Sequence, residues 1–595
     1  MCGFTGELSF VNSSFEQIKK ANNFSIPRGP DKTSNYYGSD FLNFNFWFNR
    51  LAIIDLSEKA DQPMISKDKN FILMFNGEIY NSPQLRKILK KQNYKFNTSH
   101  SDTETLFAGL QLFGIDFIEQ LEGQFAFFFW NKLTKTVYLV RDRLGQKPLY
   151  YLNSEKNFLF ASNLKSIISN TQNLRLNKDS ISSYLLFGSI FSPQTLFEGI
   201  NKLNPGHYLE IKYENESFIQ KKIKYWDVQN KLDNKKFQID EFSNLFENAV
   251  LKRTLSDVPI ASFLSGGIDS TSIVKKQFDN QLEINTFSVI VNNEKLNEKK
   301  YIDQVVKKYS TNHYEVKIDS QISREKIIEC LTSLDEPYAD PSVVPSYILS
   351  EEISKHFKVA LSGDGGDELL GGYERIKKHK NNLFQNKHIY GLLYKFYPTL
   401  FGSGTKLKAK RSIADSYLAY LGDEKFLNSL LNQKSNIEDF VNFMDLGSIY
   451  KSILNCEYNY YLSEQMMYKV DRTSMANSLE VRSPLVDHLL VEYVFQHSEE
   501  YFYTEKNKFF LYDYLSQDFD QTFLERPKQG FVFDYQDWVY SNLDFIFDKI
   551  KSSEINDLIE IEKLYKFKYV QTRINALRIW RIFVLSNYLS EIRNL

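Results

Sequence analysis

Between residues 4 and 162 short apolar runs recur at close intervals: FTGELSF, FNFWFN, NFILMFNGEIY, QFAFFFWN, KTVYLV, PLYYL and NFLFAS. Runs this short, rich in aromatic and β-branched residues, predict strands. FAFFFW (125–130) has no polar position and predicts a strand that is fully buried. Two stretches change to helical spacing. In SPQLRKILKK, Ser82 is the expected cap, Pro83 takes the first helical position, and Leu85, Ile88 and Leu89 share a face. SDTETLFAGLQLF opens on an expected capping box of Ser101 and Glu104, with Leu106, Leu110 and Phe113 at helical spacing. Strands with a few helices predict a layered α+β domain.

From 212 to 240 the chain turns rich in Lys, Asn and Glu, which predicts a junction. Beyond it IASFL, TFSVIV and KVALS (358–362) are short strands that alternate with helical stretches, the pattern of a parallel α/β sheet. The remainder is mainly helical. The expected organisation is a first domain over 2–211, a linker over 212–240 and a second domain over 241–595.

At 595 residues the chain is too long for a single core. Lys+Arg 73 against Asp+Glu 74 leaves a net charge of −1, so neither nucleic acid nor a membrane is expected as a partner. The basic stretch 376–411 predicts a solvated face rather than a nucleic-acid patch. Three scattered cysteines, Cys2, Cys330 and Cys456, argue for a reducing, cytoplasmic setting and against a disulfide framework. The histidines lack ligand spacing, which argues against zinc. The start of the chain lacks the features of a signal peptide, and Gly3 stands third, where myristoylation needs a second-position glycine.

Two turns carry chemistry. In SFLSGGIDST (262–271) a buried strand runs into Ser265-Gly266-Gly267, and a helix opens near Asp269-Ser270. Glycines let the backbone approach an oxyanion, and a helix N-terminus offers free N–H groups. The spacing is neither Walker A nor GxGxxG; it resembles the SGGxDS pyrophosphate loop of the ATP pyrophosphatases. In SGDGGDELLGGY (362–373), Asp364, Asp367 and Glu368 crowd together and call for a cation, which Mg²⁺ on a triphosphate would supply.

Cys2 would become the first residue once Met1 is removed, and would then hold a thiol and a free amine. Their unperturbed pKa values, about 8.5 and about 7.7–8, suit a nucleophile and its base near neutral pH. NGEIYN (76–81) offers Asn76 and the Gly77 N–H as oxyanion donors. Glu78 and Asp102 could hold a substrate ammonium, and Arg50 a carboxylate. Asp102, next to Ser101, could equally cap its helix.

MCGFTG, RGPD (28–31), RLAIIDLS (50–57), NGEIYN, SDTE, LEGQFAF (121–127) and RDRLGQKPLYY (141–151) resemble the N-terminal-nucleophile glutaminase domain of glutamine-hydrolysing asparagine synthetases. SGGIDS, DEPYADPS (335–342), LSGDGGDE, DRTSMANSLEVRSP (471–484) and PKQGF (527–531) resemble their synthetase domain. The resemblance implies a layered αββα glutaminase domain, followed by an α/β ATP pyrophosphatase domain with a helical C-terminal part. It implies that Cys2 attacks glutamine, with Arg50, Asn76, Gly77, Glu78 and Asp102 at the glutamine and oxyanion positions. It assigns ATP to Leu264, Ser265, Gly266, Gly267, Asp269, Ser270, Val289, Ser362 and Gly363, magnesium to Asp269 and Asp367, and the adenylation transition state to Lys528. The substrates it implies are glutamine, ATP and aspartate, with ammonia passing inside the protein and a homodimer as the assembly.

The acceptor side departs from the pattern of bacterial-type asparagine synthetases. SGDGGDE stands for SGEGSDE, placing Asp364 where a glutamate is thought to act in amidation; SLEVRSPLVD stands for SLEVRVPFLD. The stretch that should bear an arginine for aspartate reads DPSVVPS (340–346). Amidation of aspartate is the leading expectation, the same chemistry on another acid such as a uronate the second, and an idle glutamine- or ATP-binding regulator the third. The intact Cys2, Asn76, Asp102, SGGIDS and Lys528 argue against the last. A nucleic-acid-modifying pyrophosphatase is weakened by the neutral charge.

Overall fold

The computed structural model describes residues 2–11, 13–291, 297–318, 322–377, 387–408, 413–431, 436–499, 501–502, 508–526, 533–593 and 595. The first part of the chain forms β1 (Cys2–Ser9), β2 (Lys32–Ser39), β3 (Asn43–Arg50), β4 (Met64–Ile65), β5 (Phe71–Ile79), β6 (Gly123–Asn131), β7 (Thr136–Arg141), β8 (Tyr150–Asn153), β9 (Asn157–Ala161), β10 (Ile200–Lys202), β11 (His207–Glu214) and β12 (Ser217–Lys224). They build two antiparallel sheets, ordered β10-β8-β9-β1-β3-β2 and β12-β11-β7-β6-β5-β4.

The facing sides share one core, in which Phe4, Phe46, Phe48 and Phe160 meet Met74, Phe128, Trp130 and Leu139. Helix α1 (Phe15–Asn22) covers the outer face of the first sheet through Ile18 against Trp47 and Leu159. Helices α2 (Ser82–Lys91) and α3 (Asp102–Phe113) cover the second. The layers are therefore α, β, β, α. β6 shows why FAFFFW lacks a polar position: Phe125, Phe127 and Phe129 point to the helices, while Ala126, Phe128 and Trp130 point between the sheets.

Local details differ from the sequence reading. Asn81, not Ser82, precedes α2, and Ser82 Oγ donates to Thr105 Oγ1 at 3.0 Å. Ile88 and Phe113 end on the surface, at the rim of their helical stripes. Ser101 Oγ accepts from the Glu104 N–H, but the Glu104 carboxylate turns to the N–H groups of Asn97 and Thr98, 2.7 Å each, so no box closes. The expected junction at 212 falls inside the hairpin β11–β12. Its lysines are those of an edge strand, which charge protects from further pairing, while Ile211, Tyr213 and Phe218 are buried.

The second part forms a parallel sheet of β13 (Ile260–Phe263), β14 (Asn285–Val291), β15 (Asn312–Ile318), β16 (Val359–Leu361) and β17 (Glu480–Arg482), ordered β15-β14-β13-β16-β17. From β13 the chain winds to one side of the sheet, and from β16 to the other. Helices fill the rest, and Arg573–Ile592 is buried through Ile579, Trp580 and Phe583. Among the described residues no helix is long and apolar enough to cross a membrane. In the basic stretch Lys408 is buried against Glu424 rather than solvated, and Lys378, Lys380, Lys410 and Arg411 lie outside the described residues.

Charged side chains tie the two parts together. Arg28 grips Asp471 with both terminal nitrogens, at 2.8 and 3.1 Å, and Lys202 lies 2.8 Å from Glu336. Tyr150 donates to the same Glu336 at 3.0 Å. Every one of these groups is buried.

Candidate active sites

β1 and β3 pair so that Cys2 stands opposite Arg50. β5 of the facing sheet carries Asn76, Gly77 and Glu78, and α3 brings Asp102. The Cys2 N–H donates to Asn76 Oδ1 at 3.1 Å. That bond orients the amide and turns Asn76 Nδ2 away; this nitrogen is buried and has no partner among the described residues. A buried donor without a partner costs about 1–3 kcal/mol, which makes this nitrogen a candidate contact for a ligand. Gly77 has φ +156°, and a Cβ there would stand 2.1 Å from the Gln124 carbonyl oxygen; no other residue fits.

Burial pushes the Cys2 thiol up, opposed by the amino-terminal charge, a backbone hydrogen bond from Leu51, and Arg50. Arg50 is fixed by the carbonyls of Asp55 and Ser57 and by Asp61 Oδ1 at 2.7 Å. Asp102 accepts from the N–H groups of Ile79 and Thr103, at 3.1 and 2.7 Å. Ser101 is the helix cap, which leaves Asp102 facing Glu78. Burial pushes both carboxyls up; for Glu78 the Asp102 charge adds to the rise, and Arg482 opposes it. An arriving ammonium group would let this pair ionise.

Two residues that the sequence reading gave no role complete this site. Arg482, fully buried on β17, places Nη2 3.0 Å from Glu78 Oε2 and Nε 2.5 Å from Glu480 Oε1. Against its burial, the amino-terminal charge, Arg482 and Lys147 pull Glu480 down to about 2. The motif SLEVRSP was visible; that it backs the Cys2 site was not, because the contact spans 404 positions.

The second site lies where β13 and β16 run side by side and their connections diverge, the switch point at which open α/β sheets bind ligands. A cavity of about 670 Å³ opens there, lined by Leu264, Ser265, Gly267, Asp269, Ser270, Val289, Ser362, Gly363, Asp364 and Asp367. Gly266 is off the lining; its φ of +66° makes the turn. The two loops touch: a Cβ on Gly363 would stand 2.9 Å from the Ser270 nitrogen, and one on Gly366 2.4 Å from Asp269 Oδ1. No side chain caps the helix Ile268–Asp279, so its N-terminal end opens on the cavity.

Asp269 and Asp367 converge on Lys508, which the sequence reading did not single out; Asp367 Oδ1 is 2.7 Å from its Nζ. Despite burial, these carboxylates hold Lys508 above its ordinary range. Two hard oxygen donors aimed at one cation also fit Mg²⁺, which binds through one or two carboxylates and substrate phosphates. Among the described residues no group of three or more His, Cys, Asp or Glu forms a metal site by itself. Asp364 exchanges hydrogen bonds with Ser362. Burial, then Asp367 and Glu457, push Glu368 up to about 7. Lys528 lies outside the described residues. Cys330 and Cys456 are buried free thiols.

Residues 1–226 match the family model of the glutamine amidotransferase domain, and residues 241–578 match that of asparagine synthase. Glutamine-hydrolyzing asparagine synthetase 1 of Bacillus subtilis is 28% identical over 98% of this chain and 96% of its own length. Asparagine synthetase 3 of the same organism is 28% identical over 83% of the chain and 80% of its own length. Among solved structures, glutamine phosphoribosylpyrophosphate amidotransferase from B. subtilis covers 61% of this chain and 81% of its own, at 14% identity and a TM-score of 0.29. A nucleophile site built on facing antiparallel sheets and a cavity at a parallel switch point thus lie within two matched models, and the chain belongs to the asparagine synthase family of carbon–nitrogen ligases, with a glutamine amidotransferase domain at its front.

Proposed function

We propose that the chain uses ATP to join the amide nitrogen of glutamine to a carboxylic acid, with aspartate as acceptor and asparagine as product. The observation that carries this reading is β17, a wall common to both sites. The Arg482 side chain meets Glu78, and its carbonyl accepts from the Ser362 N–H at 2.9 Å.

In the part ending with β12, Cys2 Sγ attacks the glutamine amide carbon and gives its proton to the freed α-amine. Asn76 Nδ2 and the Gly77 N–H hold the oxyanion. Collapse breaks the C–N bond, expels ammonia and leaves a thioester, which water cleaves to glutamate. Glu78 and Asp102 hold the glutamine ammonium and Arg50 its carboxylate. In the second part Leu264 and Val289 line the nucleoside, while Ser265, Gly267, Ser270, Ser362 and Gly363 surround the phosphates. Asp269 and Asp367 would hold Mg²⁺, which supplies charge neutralisation on the phosphates. The acceptor carboxylate displaces pyrophosphate from ATP to give an acyl-AMP, and ammonia displaces AMP. The resemblance gives Asp364 the proton that ammonia loses and Lys528 the charge developing on the phosphate. Ammonia kept away from water stays unprotonated and nucleophilic. Three buried thiols suit a reducing, cytoplasmic setting.

The test uses purified protein with glutamine and Mg-ATP, with and without aspartate, read by mass spectrometry. Matched, aspartate-dependent AMP, pyrophosphate and asparagine are expected. Glutamate without AMP would exclude aspartate and move the reaction to another acid.

A further inference from the structure

One helix wears its amphipathic pattern inside out. Ile389, Leu392, Leu393 and Phe396 recur along Lys387–Phe396 at the spacing of a single face. A surface helix normally sets such a stripe against the core. Here the four side chains are 57, 58, 49 and 71% exposed. Tyr394, between them, packs inward instead: it donates to Glu424 Oε2 at 2.9 Å, and a Cβ on Gly404 would stand 3.0 Å from its ring. On the turn that follows, Phe401 is 64% exposed although the backbone beneath it is pinned. Asn575 Nδ2 donates to the Leu400 carbonyl at 3.0 Å, and Arg578 to those of Thr399 and Gly402 at 2.6 and 3.2 Å. Five large apolar side chains between 389 and 401 thus face solvent from a fixed backbone, and apolar exposure so concentrated marks an interaction surface.

Charge says what that surface meets. Between Glu374 and Asp415 the sequence holds ten lysines and arginines and neither aspartate nor glutamate. Arg375 and Lys408 are drawn into ion pairs with Glu457 and Glu424, while Lys395 and Lys406 are exposed. Lys395 Nζ lies 5.9 Å from the centre of the Phe396 ring, and Lys406 is on the helix Thr405–Lys408, which packs against Lys387–Phe396. The net charge of −1, which speaks against a membrane for the chain as a whole, averages this run with acids elsewhere. We propose that Lys387–Phe396 lies flat on an anionic membrane, with its Ile-Leu-Leu-Phe stripe among the headgroups and Lys395 and Lys406 against their phosphates. Apolar side chains on one helix face with lysines around them suit the boundary between headgroups and acyl chains. The attachment is peripheral, because among the described residues no helix is long and apolar enough to cross a membrane. A two-fold contact with a second copy would set the patch against itself and bring its cations together. A groove on another protein would have to match a run of cations with no acid among them; headgroups of one sign do so without any match of shape. The inference adds a place to the activity proposed above and does not depend on it.

The test mixes the full chain with sucrose-loaded vesicles and measures the fraction that sediments. The vesicles are phosphatidylcholine alone or equimolar phosphatidylcholine and phosphatidylglycerol. Wild type should sediment with the mixed vesicles and not with phosphatidylcholine. Salt at about 1 M, where the Debye length falls to about 3 Å, should release it. Lys395→Gln with Lys406→Gln should lower the partition coefficient roughly 25-fold, about fivefold for each cation near the surface. Leu392→Ser with Phe396→Ser should lower it at least ~tenfold, since both side chains leave the acyl boundary. Both pairs change exposed positions and should keep the wild-type melting temperature. Failure of the wild type to sediment with mixed vesicles overturns the proposal, as does equal sedimentation with the two lipids or a variant pair that binds like wild type. A melting temperature lowered by the Leu392 and Phe396 pair would mean that the stripe packs within the chain, and sinks it too. So would a smaller molecular mass of that variant in analytical ultracentrifugation without vesicles, which would assign the stripe to a second copy.

Discussion

Arg482 Nη2 and Glu78 Oε2 lie 3.0 Å apart, both buried, one from the parallel sheet and the other from the antiparallel sheet that faces Cys2. The same arginine bonds Glu480 and the carbonyls of Arg253 and Leu255. Replacing it with an apolar residue takes the cation from Glu78 and one of several from Glu480. Removing one partner of a buried pair costs about 3–5 kcal/mol. Arg482→Met should lower the melting temperature and raise the KM for glutamine, and Arg482→Lys should fall between. Thermal denaturation and glutaminase kinetics check both; an unchanged KM would separate Arg482 from the glutamine site.

Cys2→Ala removes the thiol that stands beside Asn76 and leaves the second cavity untouched. Glutamine-dependent synthesis should vanish, while synthesis from added ammonium salts continues. Loss of both would contradict two sites with separate chemistry. The assay is asparagine formation from either nitrogen source.

Glu368 sets a pH dependence whose sign follows from its environment. Its carboxyl keeps a proton up to about 7 in the folded chain, where the ordinary value is 4.5. Between those values the folded state binds more protons than the unfolded state, so stability falls as pH rises through that window. The loss amounts to roughly 3 kcal/mol. Glu368→Gln should lack this slope. Urea denaturation at a series of pH values between 5 and 8 reads it directly, and parallel curves for the two proteins would refute it.

On the proposed reading, Asp269 and Asp367 should make the second site dependent on a divalent cation. EDTA should stop pyrophosphate release, and Asp269→Asn should raise the Mg²⁺ concentration for half-maximal release roughly tenfold, the effect of one lost charge-assisted contact. Mg²⁺ titrations of pyrophosphate release provide the check. Release that continues in EDTA would remove these carboxylates from metal binding.

How far the sequence could be read depended on whether a feature was local. FAFFFW predicted a buried strand because both of its faces are covered, and the glycine loops after IASFL and KVALS were legible because turn, strand and helix signals lie within ten residues of each other. KYENESFIQKKIK misled because an edge hairpin has the composition of a linker: its lysines face solvent, and only Tyr213 and Phe218 show the side turned inward. Lys508 could not be found that way, and neither could the role of Arg482 within the visible SLEVRSP. The chemistry of each arises from which distant carboxylates reach it once the sheets and helices have packed.

The distance along the chain between Glu78 and Arg482 also sets an order in time. Ribosomes add about 5–20 residues per second, so the 404 positions between them correspond to roughly 20–80 s of synthesis. Throughout that interval the nascent N-terminal sheets lack the cation that holds Glu78, and the wall supplied by β17 has not been made. A thiol at the very start of the chain thus waits for the last third of the protein before its site is complete.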